Sequence, residues 1–139
     1  MGNNKLCNIS IILMMFCVNV SGSGSKRTCF YIPAGHVFIG NNLPTKDDNV
    51  KVHCRSEDDD LGMKRLGVGQ VTDWGFCVWP YKTLFYCDVW WGCSKHAAFH
   101  AFDAKLHVGK NCYWLIRADG LYFSEINYSP MYEKLVDWD

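Results

Sequence analysis

No stretch of this 139-residue chain reaches the roughly 20 consecutive apolar residues that a helix needs to cross a bilayer. Neither sign of charge is in excess, with 14 Lys and Arg against 14 Asp and Glu. That balance gives no electrostatic case for nucleic acid or an anionic membrane as partner. Long amphipathic helical periodicity and internal repeats are both missing, which argues against helical bundles and repeat arrays. No nucleophile stands with a base and an orienting group, and no cofactor motif occurs, so nothing points to an enzyme. The acidic run Glu57-Asp58-Asp59-Asp60 lacks the spaced ligands and closing Glu of an EF-hand loop.

What is present begins with an export signal. Lys5 precedes an apolar run at 9–20, about as long as a signal-peptide core, and the small residues 21–25 follow. Residues 1–22 are therefore read as a secretory signal peptide cleaved near 22–24, leaving a chain with no membrane-inserted segment. Residues 23–36 form a lead-in, and 37–139 one domain with a short C-terminal tail. Cys7 and Cys17 leave with the signal; Cys29, Cys54, Cys77, Cys87, Cys93 and Cys112 remain. Six cysteines in a small exported domain predict up to three disulfides, with 15 pairings open. Asn127-Tyr128-Ser129 is a glycosylation sequon, and Pro130 after it disfavours modification.

The remainder reads as short strands between turn signals. Residues 49–55 alternate strictly, with Val50, Val52 and Cys54 on one face and Lys51, His53 and Arg55 on the other. Further strands are predicted at 37–39, 68–71, 74–79 and 99–102. The almost wholly apolar 83–91 reads as a central strand covered on both faces. Residues 113–117 and 121–123 flank Ala118-Asp119-Gly120, a hairpin signal. The expected fold is all-β, an immunoglobulin-like, disulfide-stapled sandwich of seven to eight short antiparallel strands, with a small closed barrel as the alternative. The tail at 130–139 reads as a short helix or ordered coil.

Several words then stand in order: VHCRSEDDDLG (52–62), a Gly-x-Gly-Gln stretch leading to Trp74-Gly75-Phe76, TLFYC (83–87), FHAFDAK (99–105) and CYWLIRADGLY (112–122). The series resembles the plant self-incompatibility S-protein family and spans roughly residues 37–123. The resemblance implies a small secreted sandwich with Cys54, Cys87 and Cys112 as disulfide cysteines and 58–62 as a signature loop. It also implies an extracellular ligand, since the founding member is a pistil protein acting on a pollen membrane receptor. The chain departs from many relatives where Leu121-Tyr122-Phe123 follow the last Asp-Gly in place of a cysteine. Cys29, Cys77 and Cys93 have no matched family position, so the pairing stays open.

Each chemical feature has a plainer reading. Ser56 and the acidic run read as a turn whose oxygens accept backbone N–H bonds, with Ca²⁺ binding as the rival. Cys93, His96 and His100 have zinc-like spacing, yet an oxidising compartment pairs thiols instead of leaving thiolates. His96 reads as a turn residue, and His100 as sharing a strand face with Phe102. A pistil-type ribonuclease would need two placed histidines, but its His-Gly-Leu-Trp-Pro word is absent and His53 reads as solvent-facing. Trp74, Trp114 and one of Trp90 and Trp91 are assigned to the core, because adjacent strand residues cannot both point inward. Exposed aromatics would suit a sugar-binding or defence-type protein. The reading adopted is a secreted, monomeric ligand without catalytic residue, cofactor or metal, recognised by a plasma-membrane receptor. Its candidate loops are 56–62, 72–82 and 91–97, with Glu57, Asp58, Asp59, Asp60, Trp79, Tyr81 and Trp91 as candidate contacts.

Overall fold

The computed structural model describes residues 29–45, 49–127 and 131–139; the signal-peptide assignment lies outside them. Among the described residues the chain forms nine strands: β1 (Ala34–Asn41), β2 (Val50–Arg55), β3 (Asp60–Leu66), β4 (Val71–Cys77), β5 (Leu84–Trp91), β6 (Lys95–Asp103), β7 (Asn111–Arg117), β8 (Gly120–Ser124) and β9 (Glu133–Val136). A single helical turn, α1 (Ala104–His107), joins β6 to β7. One sheet has the order β4-β1-β7-β8-β9 and the other β3-β2-β5-β6. The expected two-sheet, disulfide-stapled β-sandwich is what forms.

Alternation builds the core. Val50, Val52 and Cys54 are buried while Lys51, His53 and Arg55 stand outward. Val37 and Ile39 from β1, Val89 from β5 and Ile116 from β7 meet them from both sheets, each fully buried. A buried side chain of this size contributes about 1.5–3 kcal/mol relative to leaving it in water. Trp114 and partly buried Trp74 and Trp91 pack in or against this core, whereas Trp90 faces outward beside His96.

Several boundaries differ from the sequence reading. The pairing of β1 with β7 is parallel, so the sandwich is not wholly antiparallel, and it has nine strands instead of seven or eight. Residues 67–70 are a turn, not a strand. Gln70 reaches back to accept from the Gly67 N–H through its side chain at 2.7 Å, and Gly69 supplies the left-handed backbone at φ 82°. The strand expected at 74–79 runs instead from Val71 to Cys77. β5 is central in its sheet but covered on one face only. Phe85, Cys87 and Val89 point inward, and Tyr86, Asp88 and Trp90 are half-exposed, because no third layer lies outside.

The tail becomes β9, paired to β8. Gly120 makes that pairing possible: a Cβ there would collide with the Val136 carbonyl oxygen. His96 lies in β6, not in a turn. His100 and Phe102 do not share a face. A bulge opposite Phe85 and Tyr86 inserts Ala101 into β6, leaving His100 exposed and Phe102 fully buried. The indole N–H of Trp114, from the facing sheet, donates to the Ala101 carbonyl at 3.1 Å. The bulge is thereby locked from across the core.

Disulfides join Cys29 to Cys77 and Cys54 to Cys87. The second links directly opposed residues of β2 and β5 in mid-sheet. Cys93 is also disulfide-bonded. Cys112, expected as a disulfide cysteine from the family resemblance, is instead a buried free thiol. Burial pushes its pKa up to about 12, since a thiolate would lose its hydration there. It behaves as a small apolar core residue of β7.

Candidate functional site: the Cys29 pole

The strand directions sort every connection to one of two ends. β1, β5 and β7 begin, and β2, β4, β6 and β8 end, at the pole that carries Cys29. The connections at 56–59, 78–83 and 104–110 therefore gather there with the lead-in 29–33 and residues after 124. Turns 67–70, 92–94 and 118–119 gather at the opposite pole with the chain end.

Of the seven candidate contacts, six lie at the Cys29 pole. Ser56 and Asp59 close the acidic turn: the Ser56 N–H donates to the Asp59 carbonyl at 2.7 Å, and the Asp59 N–H to Ser56 Oγ at 3.1 Å. Glu57 and Asp58 at its apex are exposed. Asp60, with Leu61 and Gly62 of the expected signature loop, opens β3 instead. Its carboxylate accepts from the Gly62 N–H at 2.9 Å and meets His53 Nε2 at 2.6 Å. Those two contacts, the amide first, hold its pKa below the ordinary 3.8.

Trp79 and Tyr81 ride on the β4–β5 turn. The Trp79 carbonyl accepts from the Lys82 and Thr83 N–H groups, and Thr83 Oγ1 accepts from the Trp79 N–H at 2.8 Å. Both aromatics are exposed. Within the candidate loop 72–82, residues 72–77 are strand; within 91–97, residues 91 and 95–97 are. Trp91 sits at the far pole, half-buried against Trp138 with ring centroids 5.8 Å apart, so it leaves the set.

The sequence reading missed Phe30 and Tyr31. The signal was the Cys29–Cys77 pair, invisible while pairings were open; it ties the lead-in to the end of β4 beside Trp79, and the Val78 N–H donates to Pro33 O at 2.8 Å. Asn127 is exposed, and its Oδ1 accepts from the Tyr132 hydroxyl at 3.2 Å.

The rival chemistries fare differently. The Cys87 sulfur is in a disulfide with Cys54, so it is no thiolate for zinc. Among the described residues no three His, Cys, Asp or Glu side chains are grouped to hold a metal. On the outer face of the five-stranded sheet Phe38 stacks on His36 at 4.4 Å and on Tyr113 at 4.8 Å.

One titrating group is built into this pole. His107 of α1 lies between the rings of Phe102 and Phe123, 5.7 and 5.4 Å away. Its Nδ1 accepts from the Asp103 N–H at 3.0 Å, a bond that an imidazolium cannot make. Burial holds its pKa below the ordinary 6.5, aided by Lys110 and opposed by Glu125 and Asp103. The unfolded chain therefore takes up this proton first as pH falls. Stability is expected to be full above about pH 6.5 and to decline as pH drops from there through the lower folded pKa. Thermal midpoints from pH 8 to 5 should show the decline in wild type and a flatter profile in His107→Gln. Equal slopes would refute the assignment.

The resembling words occupy the centre of this architecture, with 52–62 on β2 and β3, 83–87 on β5 and 112–122 across the β7–β8 hairpin. The family model for plant self-incompatibility protein S1 matches residues 36–138. The chain belongs to that family. It is 40% identical over 131 residues to S-protein homolog 8 of Arabidopsis thaliana, covering 91% of this chain and 96% of that protein. Self-incompatibility protein S1 of Papaver rhoeas is 32% identical over 79 residues, 53% of this chain and 57% of that protein. A solved self-incompatibility protein homologue, from a family described as small, highly stable, secreted plant proteins, superposes with a TM-score of 0.64 at 18% identity. It covers 78% of this chain and 96% of its own. That likeness fixes the fold.

Proposed function

We propose that this chain is a secreted plant signalling ligand recognised by a plasma-membrane protein through the loops of the Cys29 pole. The observation that carries the reading is the convergence at one end of a rigid sandwich of the acidic turn 56–59 and the aromatic turn 78–83. Loops fixed by a stable scaffold are where recognition residues concentrate, and Trp and Tyr are favoured interface anchors. Membership in a family that includes the Papaver self-incompatibility protein supports a ligand over an enzyme. No catalytic constellation rivals it among the described residues.

The test is a binding screen of the oxidised mature domain against membrane proteins displayed on plant cells. A variant with Glu57, Asp58, Asp59 and Asp60 changed to Ser runs beside it. Saturable binding to one membrane protein, weakened by the substitutions, is expected. Binding only to wall polysaccharide, competed by oligosaccharides and indifferent to the substitutions, would replace the ligand reading with a wall-binding one.

A further inference from the structure

Ten large apolar side chains stand exposed among the described residues, and they are not scattered. Phe30 and Tyr31 come from the lead-in, and Trp79 and Tyr81 from the β4–β5 turn. Leu106 and Val108 belong to the β6–β7 connection, and Ile126 and Met131 to the connection after β8. All eight are at the Cys29 pole; Leu135 of β9 shares a cavity with Ile126 and Met131, and Val71 lies at the far pole. Single exposed apolar residues are ordinary, but eight of ten gathered at one pole mark that end as an interaction surface.

We infer that this apolar crown is the docking surface itself, and that its occupant is a protein presenting an apolar concavity bordered by Lys or Arg. The inference rests on the ligand reading above and specifies its partner. Area argues for a macromolecule. Four aromatics of roughly 150–250 Å² each, exposed by well over half, together with four aliphatics approach the roughly 800 Å² per partner of a standard protein interface.

Charge selects a protein over a lipid surface. Glu57 and Asp58 stand exposed beside the crown, and no ion pair engages either among the described residues. On the other flank Glu125 and Glu133 border a cavity of about 230 Å³ lined by Phe123, Ile126, Met131 and Leu135. Lys110 neutralises Glu125 at 2.9 Å. Among the described residues Lys82 and Lys105 are the remaining lysines of these loops, against the exposed carboxylates of Glu57, Asp58 and Glu133. Such a rim repels anionic headgroups and complements a basic-rimmed protein.

The backbone adds an independent sign. Tyr31 and Tyr81, each at φ 64°, are the only non-glycine residues with positive φ among the described residues. They are also the two most exposed of the large apolar side chains, at 105% and 79%. Glycine would meet that backbone demand without strain. Strained tyrosines aimed at solvent are explained by what the rings touch, not by folding.

This separates binding from folding experimentally. The double variant Tyr31→Gly/Tyr81→Gly is expected to melt no lower than wild type, yet to lose at least about 100-fold in affinity for the plant-cell membrane protein. Val71→Ser, at the far pole, is expected to bind as wild type. Phosphatidylcholine vesicles, with and without phosphatidylserine, run in parallel. If wild type binds no membrane protein, the ligand reading fails and this inference falls with it. If wild type binds and the tyrosine variant binds equally well, the crown is refuted while the ligand reading survives. Crown-dependent binding to protein-free vesicles would make the occupant lipid and overturn the protein partner.

Discussion

Replacing both Cys54 and Cys87 with alanine is expected to destabilise the domain by about 3–4 kcal/mol and to lower its melting midpoint on the order of 10–20 °C. The bridge closes a loop with a sequence separation of 33. Opening it releases that closure entropy to the unfolded chain. Both sulfurs are buried, at 3% and 1% exposure for their residues, so alanine also loses packing on the inner face of β2 and β5. Cys29–Cys77 spans a larger separation of 48, and loop entropy alone would make it the stronger staple. The expected order is the reverse. Without it the lead-in 29–33, which lies outside the strands, can fray and recover entropy in the folded state too. Thermal unfolding of the two double-alanine proteins decides the matter: equal losses would mean that the lead-in is held by other contacts.

Phe102→Ala is expected to cost about 3–5 kcal/mol, as much as the central disulfide, although it removes no covalent bond. Phe102 is fully buried and the largest such side chain of the core. Its ring meets Phe76 of the facing sheet edge-on at 4.7 Å and His107 of α1 at 5.7 Å. Truncation leaves a cavity between the layers and removes one wall of the His107 site. Urea unfolding should show a lower midpoint with an unchanged slope. Phe38→Ala, on the outer face, supplies the comparison. An equal loss there would show that the Phe102 ring is not the interlayer wedge described.

Where residues alternate without interruption, the sequence sufficed. Residues 49–55, the 113–123 hairpin around Asp119-Gly120 and the inward turn of one indole of Trp90 and Trp91 all formed as read, because period-two patterning fixes which face is buried. It failed where parity changes. One inserted residue, Ala101, reverses the face of everything after it, so Phe102 entered the core while the sequence placed it beside His100. The turn at 67–70 was read as a strand because Val68 and Val71 are good strand formers, but the crossing from one sheet to the other needs a turn there. The tail carried no alternation strong enough to be seen; β9 exists because the edge of β8 is open to it and Gly120 leaves room.

The candidate site was legible in pieces only. The acidic turn and the Trp79-Pro80-Tyr81 turn could be named, and Trp91 was grouped with them because loop candidates in a sequence carry no direction. From sequence alone came the two-sheet β class and the family, since these depend on alternation and word order. Which cysteines pair, that Cys112 stays a thiol and that loops as far apart as 29–33 and 131 share one pole were decided by the tertiary structure. Those outcomes depend on strand direction and sheet order, and no local pattern of side chains encodes either.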